Sequence, residues 1–291
     1  MPGRRFATLV LQDCPGLYSQ GRCSLEQIQG LNKVSFQIPD KVSVLWDELA
    51  DFPASETEAC VRHLLDKLAQ WTGSSQAYWL GTVRMGSAES DGSNGWRPSA
   101  VRFLHDDAIS MSQYKFGMRM LESGNATEMI RFHVQGAGRF RCHTLAEVAT
   151  SSYLSSDWYR EYQAIRSYQD VLYVIIPINR DSESYYVFSR ESGGNYDEDD
   201  KKLAANTLKG LKWLSRRMML HHGLMLADKA LTSTERKVLA LLVTDLSEKQ
   251  IAEKLGKKAD TTHHHVKSIY RKFSVKSRAA LMSLWLGVSK E

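Results

Sequence analysis

The C-terminal part of this chain carries the pattern that most constrains its fold. Two capping-box pairs, Thr232 with Glu235 and Ser247 with Gln250, predict the starts of two helices. Gly256 is placed to end the second helix, because glycine is favoured where a helix stops. Two further helices follow, and the positions expected to be buried on the four helices are Val238, Leu239, Leu241, Leu242, Ile251, Ala252, Leu255, Val266, Ile269, Phe273, Leu281, Leu284 and Leu286. Four short helices with a tight turn between the second and third predict a helix-turn-helix domain.

The positive charge of the chain is concentrated in the same segment. Residues 229–291 hold 13 lysines and arginines against 6 aspartates and glutamates, a net charge of +7, while the remainder carries −2. A local excess of positive charge suits a polyanion, because each neutralised phosphate releases condensed counterions. Charge alone is equally compatible with a solvated surface.

Residues 231–288 resemble the LuxR/GerE family of transcription regulators. The shared pattern reads LTxxExxVLxLL, then LSxKxIAxxLG, then TxxxHVxxIYRKxxVxSRxxL. The residues that carry it here are Leu231, Thr232, Glu235, Val238, Leu239, Leu246, Ser247, Lys249, Ile251, Ala252, Leu255, Gly256, Thr261, His265, Val266, Ile269, Tyr270, Arg271, Lys272, Val275, Ser277 and Arg278. The resemblance implies an all-α four-helix domain that binds double-stranded DNA.

The chain departs from the family pattern around its third helix, predicted over 260–273. Residues 257–258 are Lys-Lys where the family usually has Ile-Ser, and residues 261–263 are Thr-Thr-His where it has Thr-Val-Lys. Losing the serine removes a good helix cap, a role that Asp260 is expected to take. We expect DNA binding to persist and the base preference to change.

The third helix is predicted to read DNA. His263, His264 and Lys267 have the i, i+1, i+4 spacing that reaches base edges in the major groove, and they align with base-reading positions of the family. The remaining expected DNA contacts, mostly to phosphates, are Lys257, Lys258, Thr261, Thr262, His265, Arg271 and Lys272. Arg278 is expected to be structural, through an ion pair with Glu235 or Glu253.

The rest of the chain predicts an α+β domain with one antiparallel sheet, because helices and strands follow one another without a regular βαβ repeat. A first helix is expected over 55–71, opened by a capping box between Ser55 and Glu58. Two strands around a glycine turn are expected over 129–145. A buried strand and its hairpin partner follow, and a long helix is predicted over 198–229.

This N-terminal part resembles a GAF domain over residues 55–225. The resemblance lies in TGSSQAYWLGTVR, the WYREY helix, the VLYVIIPI and SYYVFSR hairpin, and NYDEDDKKLAANTLKGL. The same pattern also fits a PAS-like or autoinducer-binding domain. The predicted division is an N-terminal extension over 1–54, a GAF-like sensor domain over 55–200, a signalling helix over 201–228 and the DNA-binding domain over 229–291.

Three residues raise the question of a ligand. LuxR-type quorum sensors use a Trp-x3-Tyr spacing followed by Asp-Pro to hold an acyl-homoserine lactone, and Trp158, Tyr162 and Asp170 resemble that set. Here Asp170 is followed by Val171, and the spacing is one residue short, so aromatic core packing is an alternative. Three hypotheses stay open: a sensor of some small molecule or other input, an acyl-homoserine-lactone receptor, and a regulator controlled by a protein partner without a small ligand.

The spacing of apolar residues in the long helix is also compatible with a dimer. Its heptad positions are Ala204, Thr207, Leu211, Leu214, Met218, His221 and Met225. They fit either a two-stranded coil or packing on the helix's own sheet. A homodimer through Leu211, Leu214 and Met218, with Leu281, Leu284 and Val288 of the last helix, would read a roughly palindromic operator.

Several classes of protein are disfavoured. No apolar run is long enough to span a membrane. No P-loop, GxSxG or HExxH motif points to an enzyme or a cofactor, and three consecutive histidines on one helix cannot converge on one metal ion. Widely spaced cysteines, Cys14, Cys23, Cys60 and Cys142, fit reduced thiols and a cytoplasmic location.

Overall fold

The N-terminal part of the chain is built on one five-stranded antiparallel sheet. The computed structural model describes residues 39–85, 92–122, 126–224 and 231–285. The strands are β1 (Gln76–Arg84), β2 (Trp96–Phe103), β3 (Arg141–Thr144), β4 (Asp170–Asn179) and β5 (Ser182–Arg190). Their order across the sheet is β2-β1-β5-β4-β3. The single antiparallel sheet and the β4–β5 hairpin confirm the predicted α+β architecture.

Helices cover both faces of the sheet and form the C-terminal part of the chain. Those of the N-terminal part are α1 (Asp40–Ala50), α2 (Thr57–Trp71), α3 (Ala108–Glu122), α4 (Glu128–Gln135), α5 (Leu145–Val148), α6 (Ser151–Leu154), α7 (Asp157–Ile165), α8 (Glu198–Lys209) and α9 (Lys212–His222). The C-terminal helices are α10 (Ser233–Leu242), α11 (Glu248–Lys254), α12 (Ala259–Lys272) and α13 (Arg278–Trp285). No helix within these described segments is long and apolar enough to cross a membrane.

The two faces of the sheet belong to two separate cores, because successive side chains of a strand point to opposite sides. Trp79, Tyr186 and Phe188 face the core formed with α1, α2, α8 and α9. Tyr173 and Tyr185 face the second core. Burial on both faces explains the near-continuous apolar run of β4, as the sequence predicted.

Helix α1 extends the first core beyond the predicted domain start at residue 55. Its Leu45 and Leu49 are fully buried in the same core as the sheet. The predicted capping box between Ser55 and Glu58 was wrong: a short 3-10 turn over Ala54–Glu56 precedes α2, whose N-terminus has no side-chain cap. Glu58 instead accepts a hydrogen bond from Arg102 Nε at 2.9 Å.

The segment predicted as the first of two strands over 129–145 also differs from its prediction. Residues 128–135 form α4 and not a strand. Thr127 caps this helix, its Oγ1 accepting a hydrogen bond from the Ile130 amide at 3.3 Å. In this helix Met129, Ile130, His133 and Val134 are buried or half-buried, whereas Arg131 and Phe132 between them are exposed, so burial follows a helical and not an alternating pattern.

The predicted long helix is two helices, α8 and α9, interrupted at Gly210–Leu211. Helix α9 ends at Gly223, whose φ of +75° is the left-handed conformation that glycine adopts without strain. All heptad positions within the described residues are buried inside the chain, namely Ala204, Thr207, Leu211, Leu214, Met218 and His221. The coiled-coil seam was therefore wrong, and packing on the chain's own sheet takes its place. Met225 lies outside the described residues.

Two of the four cysteines lie within the described residues. Cys60 and Cys142 carry free thiols. Cys60 is buried, and burial raises the pKa of its thiol to about 11. Cys14 and Cys23 lie outside the described residues.

Candidate nucleic-acid interface and ligand cavity

Helices α10 to α13 enclose a third core and reproduce the predicted helix-turn-helix plan. Both capping boxes are formed, that of Thr232 with Glu235 and that of Ser247 with Gln250. Gly256, between α11 and α12, has a φ of +61°, which makes the tight turn accessible without strain. The core residues are Leu231, Val238, Leu239, Leu242, Val243, Ile251, Val266, Ile269, Phe273 and Leu281, together with Leu220 of α9.

Glu235 joins the start of α10 to the recognition helix α12. Beyond its capping role, its carboxylate accepts hydrogen bonds from Ser268 Oγ and from Lys272 Nζ, both at 2.7 Å. Burial opposes ionisation, but the hydrogen bonds from Lys272 and the Thr232 amide outweigh it and lower the pKa of Glu235 to about 2. The ionised carboxylate therefore fixes the angle between the two helices.

The outward face of α12 collects most of the predicted DNA contacts. The exposed members of the predicted set are Lys258, Thr261, His263, His264, Lys267 and Arg271, and the half-buried members are Lys257 and His265. This face is available to a nucleic acid because no other described element covers it. A helix exposed along one side beside a tight turn is the geometry that enters a major groove.

Two predicted contacts do not belong to this face. Thr262 is fully buried, with 0% of its surface exposed, so it cannot reach a base or a phosphate. Lys272 is held by Glu235, and only 15% of its side chain is exposed. Spacing along the sequence did not distinguish Thr262 and Lys272 from their exposed neighbours. The buried face of a helix recurs every three to four residues, and the sequence alone does not show which of its faces is covered.

The N-terminus of α12 differs from the expected arrangement. Asp260 was expected to cap the helix, but Lys258 occupies the capping position and provides no side-chain cap. Asp260 lies in the first turn, where its negative charge complements the helix dipole. His263 Nδ1 lies 2.9 Å from Glu248 Oε2 of α11, an exposed contact that links the two helices of the motif.

Arg278 is structural, as expected, but its predicted partners were wrong. Its guanidinium donates to the backbone carbonyl of Leu246, at 2.7 Å, and to that of Thr244. These carbonyls lie in the loop between α10 and α11. Arg278 therefore ties the last helix to that loop, since a planar guanidinium can satisfy two carbonyls at once.

A cavity of about 220 Å³ lies in the second core, between the sheet and helices α3, α4 and α7. Eight of the twelve tyrosines of the chain line it, which makes its wall aromatic with scattered hydroxyl groups. They are Tyr78, Tyr114, Tyr153, Tyr159, Tyr162, Tyr168, Tyr173 and Tyr185. Sequence reasoning found only Tyr162, because the other seven come from separate strands and helices.

Two of the three predicted ligand residues meet in this cavity. The rings of Trp158 and Tyr162, one turn apart on α7, are stacked with centroids 5.1 Å apart. The indole Nε1 of Trp158 is buried without a hydrogen-bond partner. The prediction that Asp170 contacts a ligand was wrong. This residue is fully buried, and its carboxylate accepts hydrogen bonds from the amides of Ala146, Val171 and Tyr196.

A pair of histidines that the sequence did not reveal lies beside the cavity. The Nε2 atoms of His133 and His143 are 3.1 Å apart, and the two rings pack against Tyr173. Burial lowers the pKa of His133, and burial followed by the charge of Arg141 lowers that of His143 to about 4. Both rings are therefore neutral at pH 7, and the cavity wall near them carries no imidazolium charge.

Comparison with known proteins supports the C-terminal assignment. Residues 229–285 match the family model described as bacterial regulatory proteins, luxR family. They are a LuxR-family DNA-binding domain. The chain is accordingly a DNA-binding regulator, in which the α+β part and its cavity precede the LuxR-type domain. No curated protein matches the chain significantly.

Solved structures show distant similarity over a longer stretch. SdiA in complex with octanoyl-rac-glycerol is 15% identical, with a TM-score of 0.41 over 86% of this chain and 96% of that chain. Escherichia coli SdiA is 16% identical, with a TM-score of 0.40 over 86% and 98%. The VqsR LBD domain from Pseudomonas aeruginosa is 14% identical, with a TM-score of 0.41 over 62% and 96%. The family match, and not these distant structures, carries the DNA-binding function.

Proposed function

We propose that this protein is a sequence-specific transcription regulator whose N-terminal domain binds a small-molecule effector in the aromatic cavity. The main support for a bound effector is the indole Nε1 of Trp158, which is buried without a hydrogen-bond partner in the cavity. A buried donor without an acceptor is unfavourable by about 1–3 kcal/mol, so a ligand acceptor opposite it would bind with a gain of similar size. An apolar concave site with a few polar groups is the usual form of a ligand pocket.

We also propose a GAF-like identity for this sensor domain, supported by its single antiparallel sheet with helices on both faces. The proposed division keeps the sensor domain over 55–200, the signalling segment over 201–228 and the DNA-binding domain over 229–291. Helix α1, in the proposed extension over 1–54, packs into the sensor core and would fold with it.

Specific contacts argue against the other two hypotheses. An acyl-homoserine-lactone receptor of the resembled kind needs an acidic residue at the ligand, and Asp170 is occupied by three backbone amides. Control by a protein partner alone leaves the cavity and the Trp158 donor without a role. An effector recognised through ring stacking and hydroxyl groups fits the cavity better.

We infer that α12 enters the major groove of double-stranded DNA. His263, His264 and Lys267 would read base edges, and the flanking residues Lys257, Lys258, Thr261, His265 and Arg271 would contact phosphates. We further propose that two chains bind a roughly palindromic operator. Leu284 is half-buried and remains a candidate for the contact between them, whereas Leu281 is fully buried in its own core and Val288 lies outside the described residues.

Substitutions on α12 test the DNA contacts. Lys267→Ala is expected to weaken binding about tenfold or more and to relax preference at one base position, since a good base contact contributes about 1–3 kcal/mol. Arg271→Ala is expected to weaken all sequences alike and to reduce the salt slope by about one. The measurement is binding to DNA selected from a random pool by the wild-type protein, at several salt concentrations.

Lys237→Ala is the matched control. Lys237 lies on α10, away from α12, and lines a cleft between α10 and residues 55–59 of the N-terminal domain. Unchanged affinity in both α12 variants would contradict the assignment of this helix. Sedimentation of the same complexes counts the chains, and one chain per site would exclude the proposed dimer.

The effector is tested by native mass spectrometry of freshly purified protein. Wild type is expected to carry a bound small molecule, and Trp158→Phe, which keeps the ring and loses the donor, is expected to bind it about fivefold to tenfold more weakly. Trp213→Phe, a substitution at an exposed tryptophan of α9, serves as the control. Equal occupancy in wild type and Trp158→Phe would exclude the indole as the anchor.

A further inference from the structure

The DNA-binding domain meets the N-terminal domain at a cluster of charged and polar side chains around Glu58. One oxygen of this residue, Oε1, lies 2.8 Å from Arg102 Nη2 of β2 and 3.6 Å from Arg236 Nε of α10. The Nε2 atoms of His221 and His222, at the end of α9, lie 3.5 Å and 3.4 Å from the same oxygen. Side chains from three elements thus converge on a carboxylate of a fourth, α2.

Most of this cluster is removed from solvent. The exposed fraction is 6% for His221, 1% for His222, 20% for Arg236 and 41% for Glu58. Burial alone would favour the neutral acid, but the two neighbouring histidines and the hydrogen-bonded guanidinium of Arg102 hold the pKa of Glu58 well below its usual range. The carboxylate is therefore charged throughout the physiological pH range.

The contacts around this cluster connect the cavity with the DNA-binding helices. Residues 96–98 of β2, the same edge strand that carries Arg102, line the cavity. On the other side, Arg236 belongs to α10, whose Glu235 holds α12 through Ser268 and Lys272. Leu220, next to His221, lies in the core of the DNA-binding domain. The junction between the two domains therefore combines the apolar contact of Leu220 with the charged cluster around Glu58.

We propose that Glu58 docks the DNA-binding domain on the N-terminal domain and thereby sets the position of α12 relative to the cavity strand β2. The exposed face of α12 stays open in the docked arrangement, so the contact restricts orientation and does not block DNA. Cationic partners on β2 and α10 share one carboxylate oxygen, so a displacement of β2 alters the contact that holds α10. This docking contact does not require the cavity to be occupied.

Hydrogen exchange in the full chain tests the docking. The reporter is the Leu231 amide, which donates to the carbonyl of His222 at 3.0 Å and so spans the junction. Glu58→Gln is expected to accelerate exchange at this amide roughly fivefold, whereas amides of β4 and β5 keep their rates. The matched control is Glu56→Gln, an exposed acid two residues away on the rim of the same cleft.

A second variant separates docking from damage to the N-terminal domain. Arg236→Gln leaves Arg102 and both histidines in place and removes the charged tie to α10, together with the hydrogen bond from Arg236 Nη1 to the Leu231 carbonyl at 2.9 Å. It is expected to reproduce the acceleration at Leu231. Because Glu58→Gln leaves that hydrogen bond in place, acceleration in both variants assigns the effect to the contact with Glu58. Lys237→Gln, on the same helix and cleft, is its control. Wild-type exchange at Leu231 in both Glu58→Gln and Arg236→Gln, or equal acceleration in β4 and β5, would overturn the proposal.

Discussion

Replacing Glu183 by glutamine is expected to lower the free energy of unfolding by about 3–5 kcal/mol, because it leaves a buried arginine without its counter-charge. The Glu183 side chain is 1% exposed and that of Arg141 is 11% exposed, with Nη2 and Oε2 2.7 Å apart. The carboxylate also accepts the amide of Gly138 at 2.8 Å. Urea unfolding followed by tryptophan fluorescence measures the loss.

Two further variants define the cause of that loss. The double substitution Arg141→Met with Glu183→Leu removes both charges and is expected to recover much of the stability, since a buried pair is often replaceable by apolar groups. Asp157→Asn, which breaks the exposed ion pair with Arg160, is expected to change stability far less. Equal effects of Glu183→Gln and Asp157→Asn would show that the buried pair has no special role.

Acidification from pH 7.5 to 5.0 is expected to destabilise the fold by about 2 kcal/mol for each of His143 and His222. Burial lowers the pKa of both side chains from 6.5 to about 4. A lowered histidine pKa means that the unfolded chain binds protons more readily. The stabilising contribution is therefore complete above pH 6.5 and is lost as the pH falls toward 4.

The pH window distinguishes these histidines from the carboxylates. Glu58 and Glu235 have lowered pKa values and lose their stabilising contribution only below about 4.5. Thermal unfolding of His222→Gln at both pH values is expected to show about 2 kcal/mol less pH dependence than wild type, whereas His105→Gln, at an exposed position, is expected to match it. Identical pH dependence in all three proteins would exclude His222 as a titrating group.

Three local signals, each contained within one segment of the chain, are confirmed by the structure. The Thr232 and Ser247 capping boxes and the turn glycine Gly256 each involve residues within four positions of one another. The capping box predicted between Ser55 and Glu58 does not form, because Glu58 has stronger partners in Arg102 and the histidines of α9. A charged partner outside the helix outweighed a backbone amide within it.

Long-range burial decided the cases that periodicity left open. The heptad spacing of the segment after residue 198 is the same for a coiled coil and for a helix on a sheet, and only the first core shows which surface covers Leu214 and Met218. Similarly, residues 128–135 have a composition that is compatible with a strand. The cap at Thr127 and packing on the sheet favour a helix there instead.

Local signals in the sequence are sufficient to predict the DNA-binding domain, since its caps, turn and apolar spacing lie within one segment and match one family over residues 229–285. The same is true of the antiparallel hairpin and of the two-sided burial of β4. The packed fold was needed to show which aromatic residues enclose the cavity, that Asp170 accepts hydrogen bonds from backbone amides, and that side chains of β2, α9 and α10 converge on Glu58. These residues are far apart in the sequence, so their side chains meet only after the sheet and its covering helices have packed.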